Sequence, residues 1–128
     1  MKITNVEKFV LRQPVVLPIG DGTQDCLVLN VYTDEGTVGI GEVHTCPTVA
    51  RAIIEAPLSN FTGRGLKESI VGEDPFDTEF IWQKMYQQTA VFGRQGAAIQ
   101  CMSGIDLALW DIKGKALGCP IYGVNPSG

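Results

Sequence analysis

The side chains that could carry chemistry in this sequence are few and thinly spread. Asp106 and Asp111 are the acidic pair a divalent cation would want. Five residues apart on a helix they point about 140° from one another, so one ion is not easily held by both. Structural hydrogen bonding, or the polar edge of a contact, is the preferred reading. Lys113 and Lys115 could serve as bases, but a helix sets them about 200° apart. They are better read as positive charges opposing the negative end of the helix dipole, with Asp111 and Lys115 paired at i, i+4. Cys26, Cys46, Cys101 and Cys119 stand singly, without the CxxC spacing of a zinc or redox site, and reduced thiols in ordinary packing are expected. His44 is the sole histidine. Arg94 lies between Gly93 and Gly96 and could reach a carboxylate, yet a loop arginine needs no ligand.

These groups must be positioned by a small set of elements. Residues 2–12 alternate imperfectly between apolar and polar and suit a first strand that ends before Pro14. Residues 15–25 hold Pro18, Gly20 and Gly22 among polar residues and read as a long loop, a length often kept for function. Cys26 to Thr33 is strand-like, with Leu27, Leu29 and Val31 on one face. Asp34-Glu35-Gly36 turns the chain. Thr37 to Val43 returns as a third strand, whose Gly39 and Gly41 share a face and leave room for something to approach the backbone closely.

The period then lengthens. A helix capped near Thr48 carries Val49, Ala52 and Ile53 and is curtailed by Pro57. Phe61 to Gly65 breaks the chain, and Leu66 to Val71 is too short to assign. Asp74 as N-cap with Pro75 at the first helical position starts a helix with Phe76, Phe80, Ile81 and Met85 as its stripe, reaching about Gln88. The last helix ends at Gly118 before Pro120 and is apolar almost all round, so it is covered on more than one side. The fold class is α+β: a three-stranded antiparallel β-meander followed by a helical bundle.

A chain of 128 residues with 45% hydrophobic and 19% charged residues is one globular domain by length. Its net charge of −4 offers no footprint for nucleic acid or acidic membranes. Met1 to Lys8 lacks a signal-peptide core, and no stretch approaches the ~20 apolar residues of a spanning helix. A cytoplasmic protein is expected.

Asp34-Glu35-Gly36, Gly39-Ile40-Gly41-Glu42, the helix after Asp74-Pro75 and the run Ser103-Gly104-Ile105-Asp106-Leu107-Ala108-Leu109-Trp110-Asp111-Ile112-Lys113-Gly114-Lys115-Ala116-Leu117-Gly118 resemble the N-terminal capping domain of the enolase superfamily. The mandelate racemase and muconate lactonizing enzyme type is the most similar. The resemblance implies a capping domain over residues 1–118, with the meander at about 2–43 and helices at about 48–118. Residues 119–128 are then a truncated lead-in to a (β/α)7β barrel: Cys119 to Gly123 resembles the barrel entry, Val124 to Gly128 departs from it, and the barrel is expected to be missing.

By the same resemblance, the complete enzyme binds magnesium through carboxylates of the barrel. It uses lysine or histidine bases there to remove the proton α to a substrate carboxylate. Lys113-x-Lys115 only imitates such a base pair, because the catalytic one sits on a barrel strand. No catalytic or metal-ligating residue is therefore expected in this chain, which alone should be inert.

The implied partners are the barrel, a small carboxylate substrate and further copies of the chain. Residues 17–25 and 43–48 match the two loops that close over the barrel mouth. His44 and Thr45, and less so Asp21, Thr23 and Gln24, are the candidate substrate-facing residues. Met102, Ile105, Leu109 and Trp110 are expected at the barrel interface. An acid-sugar dehydratase is the favoured parent, with racemase, cycloisomerase, dipeptide epimerase or a stand-alone binding or oligomerisation module as alternatives.

Overall fold

The computed structural model describes residues 1–59 and 63–124. The strands β1 (Ile3–Arg12), β2 (Asp25–Thr33) and β3 (Val38–Val43) form one antiparallel sheet in the order β1-β2-β3, with an irregularity between Ile3 and Asn5. The helices α1 (Pro47–Glu55), α2 (Leu66–Ile70), α3 (Thr78–Gln88) and α4 (Ala97–Leu117) follow, and a single 3₁₀ turn covers Ile121–Gly123. This is the meander-then-helices order expected, and no barrel strand occurs among the described residues.

Alternation along the strands decides which face meets the helices. Leu27, Leu29 and Val31 of β2 are fully buried, with Val6 of β1 and Val43 of β3 beside them in register. Ile54 of α1, Ile70 of α2, Ile81 and Met85 of α3, and Met102, Ile105, Leu109 and Ile112 of α4 close the core from the other side. The opposite face of the sheet stays open and carries exposed Phe9 and Ile40.

The close approach anticipated at Gly39 and Gly41 is made by α4. A Cβ on Gly41 would lie 1.9 Å from the Gly104 carbonyl oxygen, and one on Gly39 would lie 2.0 Å from that of Ala108. From the helix side, a Cβ on Gly104 would lie 2.5 Å from Val43 Cγ2 and 2.8 Å from the Glu42 carbonyl oxygen. A glycine inside a helix costs about 1 kcal/mol relative to alanine. Here that cost is outweighed, because any side chain would force helix and sheet apart.

Helix ends show where local signals hold and where tertiary packing overrides them. Gly118 takes the left-handed conformation, its N–H reaching Lys115 O at 3.3 Å while Cys119 N–H reaches Gly114 O at 3.0 Å, so α4 stops as expected. Helix α1 instead begins at Pro47 after Cys46, with Pro47, Ala50 and Ile54 buried and Val49 exposed, so the expected stripe is rotated. Helix α3 begins at Thr78 rather than Pro75. Asp74 forms a separate turn, its carboxylate accepting Phe76 N–H at 2.9 Å and its carbonyl accepting Asp77 N–H at 3.0 Å. That turn and the later start leave Phe76 and Phe80 exposed, and Thr78, Ile81 and Met85 supply the buried face. The unassigned segment after Gly65 is the short helix α2. Part of the break at Phe61–Gly65, and residues 125–128 of the lead-in, lie outside the described residues.

Gly41→Ala should lower the stability of the fold by about 3 kcal/mol through overpacking. Gly20→Ala, where a Cβ meets nothing within 4 Å, should be close to neutral. Thermal or urea unfolding of the two variants checks the contrast.

Candidate functional site

The β1–β2 connection and the loop after β3 come together at one end of the sheet. Gly22, at φ +69°, packs against the His44 ring so closely that a Cβ would stand 2.9 Å from Cε1. Register explains the meeting: Leu11 pairs with Cys26 and Leu27 with Val43, so both loops leave the same end of adjacent strands. His44 is exposed and Thr45 half-buried. Beside them a cleft of about 410 Å³ is lined by Arg12, Thr23, Gln24, Asp25, Cys26 and Glu42, among others.

The loop candidates divide by what their polar atoms already do. Gln24 is occupied within the loop: its Oε1 accepts Leu17 N–H at 2.6 Å, and its Nε2 faces Leu17 O at 3.2 Å, Ile19 O at 3.3 Å and Asp21 Oδ1 at 3.4 Å. Asp21 also accepts Thr23 N–H at 3.0 Å, and this backbone donor is the main reason its carboxyl lies below the usual 3.8. The His44 ring and the Thr23 hydroxyl sit at the loop surface. Arg12 and Glu42 are cleft residues that sequence reasoning did not single out. Their signal was position: Arg12 is the last residue of β1, and Glu42 lies two residues before His44 on the outward face.

The acidic and basic residues of α4 do structural work. Asp111 Oδ2 accepts Ile40 N–H at 2.9 Å and Lys115 Nζ at 2.6 Å, while Lys115 Nζ also donates to Val38 O at 2.8 Å. The expected Asp111–Lys115 pair thus caps the free edge of β3, as an exposed sheet edge requires. Lys113 is buried, donates to Thr78 Oγ1 at 3.1 Å and lies 4.4 Å from the centre of the Trp110 ring. Asp106 is half-buried across the α3–α4 cleft from Glu79. Desolvation raises its carboxyl above 3.8, partly opposed by Lys113. Asp106 and Asp111 therefore face different neighbours. Among the described residues no three His, Cys, Asp or Glu side chains converge on a metal-sized site, so the groups present do not fit magnesium.

Met102, Ile105 and Leu109 correct an expectation: they are fully buried in this chain's own core and have no surface left for a barrel. An apolar helix hides which of its sides the same chain covers. The open side of α4 carries Leu107, 55% exposed, which borders a groove of about 510 Å³ with Val28, Ile40 and Ile121. Trp110 is half-buried against Lys113. Arg94 lies 4.6 Å from the Tyr86 ring. The four cysteines are free, and burial pushes the Cys101 thiol up to about 12, which makes it inert. No helix among the described residues is long and apolar enough to cross a membrane.

The raised Asp106 carboxyl sets the sign of a pH effect. The fold prefers its protonated form, so that stabilising contribution is present below about pH 3.8 and is lost as pH rises through the raised value. Asp106→Asn should remove this loss, leaving stability at neutral pH equal to or above that of the parent. Urea unfolding across pH 4 to 7 reads the difference in slope.

A sequence model of the mandelate racemase/muconate lactonizing enzyme N-terminal domain matches residues 1–124. The D-galactonate dehydratase of Xanthomonas campestris pv. campestris strain B100 is 45% identical over 100 residues, 75% of this chain and 23% of that protein. The D-galactarolactone cycloisomerase of Agrobacterium fabrum strain C58 is 32% identical over 126 residues, 94% of this chain and 31% of that protein. The crystal structure of a predicted mandelate racemase from Rhodobacter sphaeroides matches with a TM-score of 0.82 at 31% identity, over 94% of this chain and 31% of that one. The chain spans about a quarter to a third of the length of these relatives. With a three-stranded meander, a helix seated on its third strand and a match over nearly its whole length, the chain belongs to the mandelate racemase/muconate lactonizing enzyme N-terminal domain family.

Proposed function

We propose that these residues form the capping and substrate-specificity domain of a magnesium-dependent enzyme that removes the proton α to a carboxylate, and specifically of an acid-sugar dehydratase. The observation that carries this reading is the meeting of two loops at Gly22 and His44 beside a cleft lined by Arg12, Thr23 and Glu42. A polyhydroxylated acid offers each of these groups a partner, whereas an apolar acid would leave them desolvated and unpaired. The 45% identity to a D-galactonate dehydratase supports the same substrate class.

On this reading His44 and Thr45 hydrogen-bond the substrate and exclude water, and proton transfer belongs to a (β/α)7β barrel. The carboxylates that hold magnesium belong there too, where the ion stabilises the enediolate in this chemistry. The barrel docks along Leu107, Ile40 and Ile121, with the open part of Trp110 as a second contact. Four free thiols support a cytoplasmic setting, and exposed Phe76 and Phe80 support association of copies.

A cycloisomerase is the second reading. It is favoured by the relative of that activity, which matches 94% of the chain, and by the exposed apolar Leu17 and Ile19 at the loop tip. The two are separated by joining residues 1–124 to the barrel and screening sugar acids, sugar-acid lactones and apolar carboxylates with magnesium. Loss of water from a sugar acid is expected, with His44→Ala raising KM about tenfold for the loss of one hydrogen bond at little change in kcat. Turnover of apolar acids alone, or a KM indifferent to His44→Ala, would overturn the proposal.

A further inference from the structure

We infer that Gln24 is the positioning residue of the specificity loops: it holds the 13–24 loop in a preformed shape and, through Gly22, seats the His44 ring. That His44 then meets substrate rests on the function proposed above. The bracing itself stands on the geometry of this chain.

Residues 13–24 are a dozen residues without a strand or helix of their own, and such a loop would ordinarily sample many shapes. This one is cross-tied from its own C-terminal end. The Gln24 carboxamide uses both of its ends, Oε1 accepting Leu17 N–H at 2.6 Å and Nε2 shared among Leu17 O, Ile19 O and Asp21 Oδ1. Its backbone is fixed to the sheet, since Gln24 O accepts Gln13 N–H at 2.9 Å and closes the mouth of the loop. Inside the loop, Ile19 N–H to Leu17 O at 2.8 Å and Asp21 N–H to Ile19 O at 2.9 Å fold the chain into two tight turns. Their carbonyls are the ones Gln24 gathers.

The consequence reaches His44 through Gly22, two residues before Gln24. Fixing Asp21 and Gln24 on either side fixes Gly22 between them, and Gly22 lies against the His44 ring. Gln24 therefore acts on substrate through another residue, because its own donors and acceptor are already in use.

His44 is the only histidine, so its ring protons give unambiguous NMR signals in the chain as it stands. In Gln24→Ala, the Leu17 amide should exchange about tenfold faster, as expected for losing one net hydrogen bond. The His44 Cε1–H signal should move toward that of a free imidazole, while amides of the core strand β2 keep their protection. Gln24→Glu has nearly the same shape but loses the Nε2 donors, and should also shift the His44 signal. If Gln24 only fills space, this variant would match the parent. Gly22→Ala should displace the His44 signal while leaving the Leu17 amide protected. An unshifted His44 signal in both Gln24 variants, or a parent signal already at the free-imidazole position, would overturn the inference whatever the enzyme's substrate proves to be.

Discussion

Where β3 meets α4, Gly39, Gly41 and Gly104 leave no room for a side chain of their own. Gly39 and Gly41 on the strand face Ala108 and Gly104 on the helix, and any Cβ at Gly41 or Gly104 would be inside van der Waals contact. This fixes the height of α4 over the sheet and puts Asp111 and Lys115 within reach of the Ile40 N–H and the Val38 carbonyl. The strand whose edge is capped in this way runs straight into Glu42, His44 and Thr45. The position of the loop after β3 is thus an outcome of how the longest helix sits.

The other loop is built on a different principle. Residues 15–22 are all exposed, so shape comes from polar groups satisfying each other within the loop. A buried scaffold on one side and a hydrogen-bonded brace on the other meet at Gly22 and His44. Such a pairing suits a specificity element: β3 is held by the core, and the part facing outward can vary without disturbing it.

Much of this was legible in the residues. Period-two alternation put Leu27, Leu29 and Val31 on one face, which the fold buries, and two glycines on one strand face announced a close neighbour, although not which one. The i, i+4 spacing of Asp111 and Lys115 foretold their pair but not its use, since the edge it caps is set by tertiary contact. Asp74-Pro75 carries a strong helix-start signal and its carboxylate does take the Phe76 amide, as a cap would, but the chain makes only a turn there and α3 begins at Thr78. Met102, Ile105 and Leu109 misled for a related reason: composition says that a helix is covered, and only packing says by what. Gln24 was legible as a polar loop residue, whereas its inward aim depends on the fold of the seven residues before it. The family resemblance, carried by the run from Ser103 to Gly118, agrees with the match over residues 1–124.

The placement of the loop after β3 depends on α4 holding the free edge of that strand, and the Ile40 amide reports on that directly. Ile40 N–H points away from β2, so on an open edge it would exchange with solvent at nearly the rate of an unstructured peptide. Bonded to Asp111 at 2.9 Å, it should exchange at least about tenfold more slowly, and Asp111→Ala should abolish that protection while leaving the Leu29 amide unchanged. An Ile40 amide that exchanges freely in the parent chain would contradict the account.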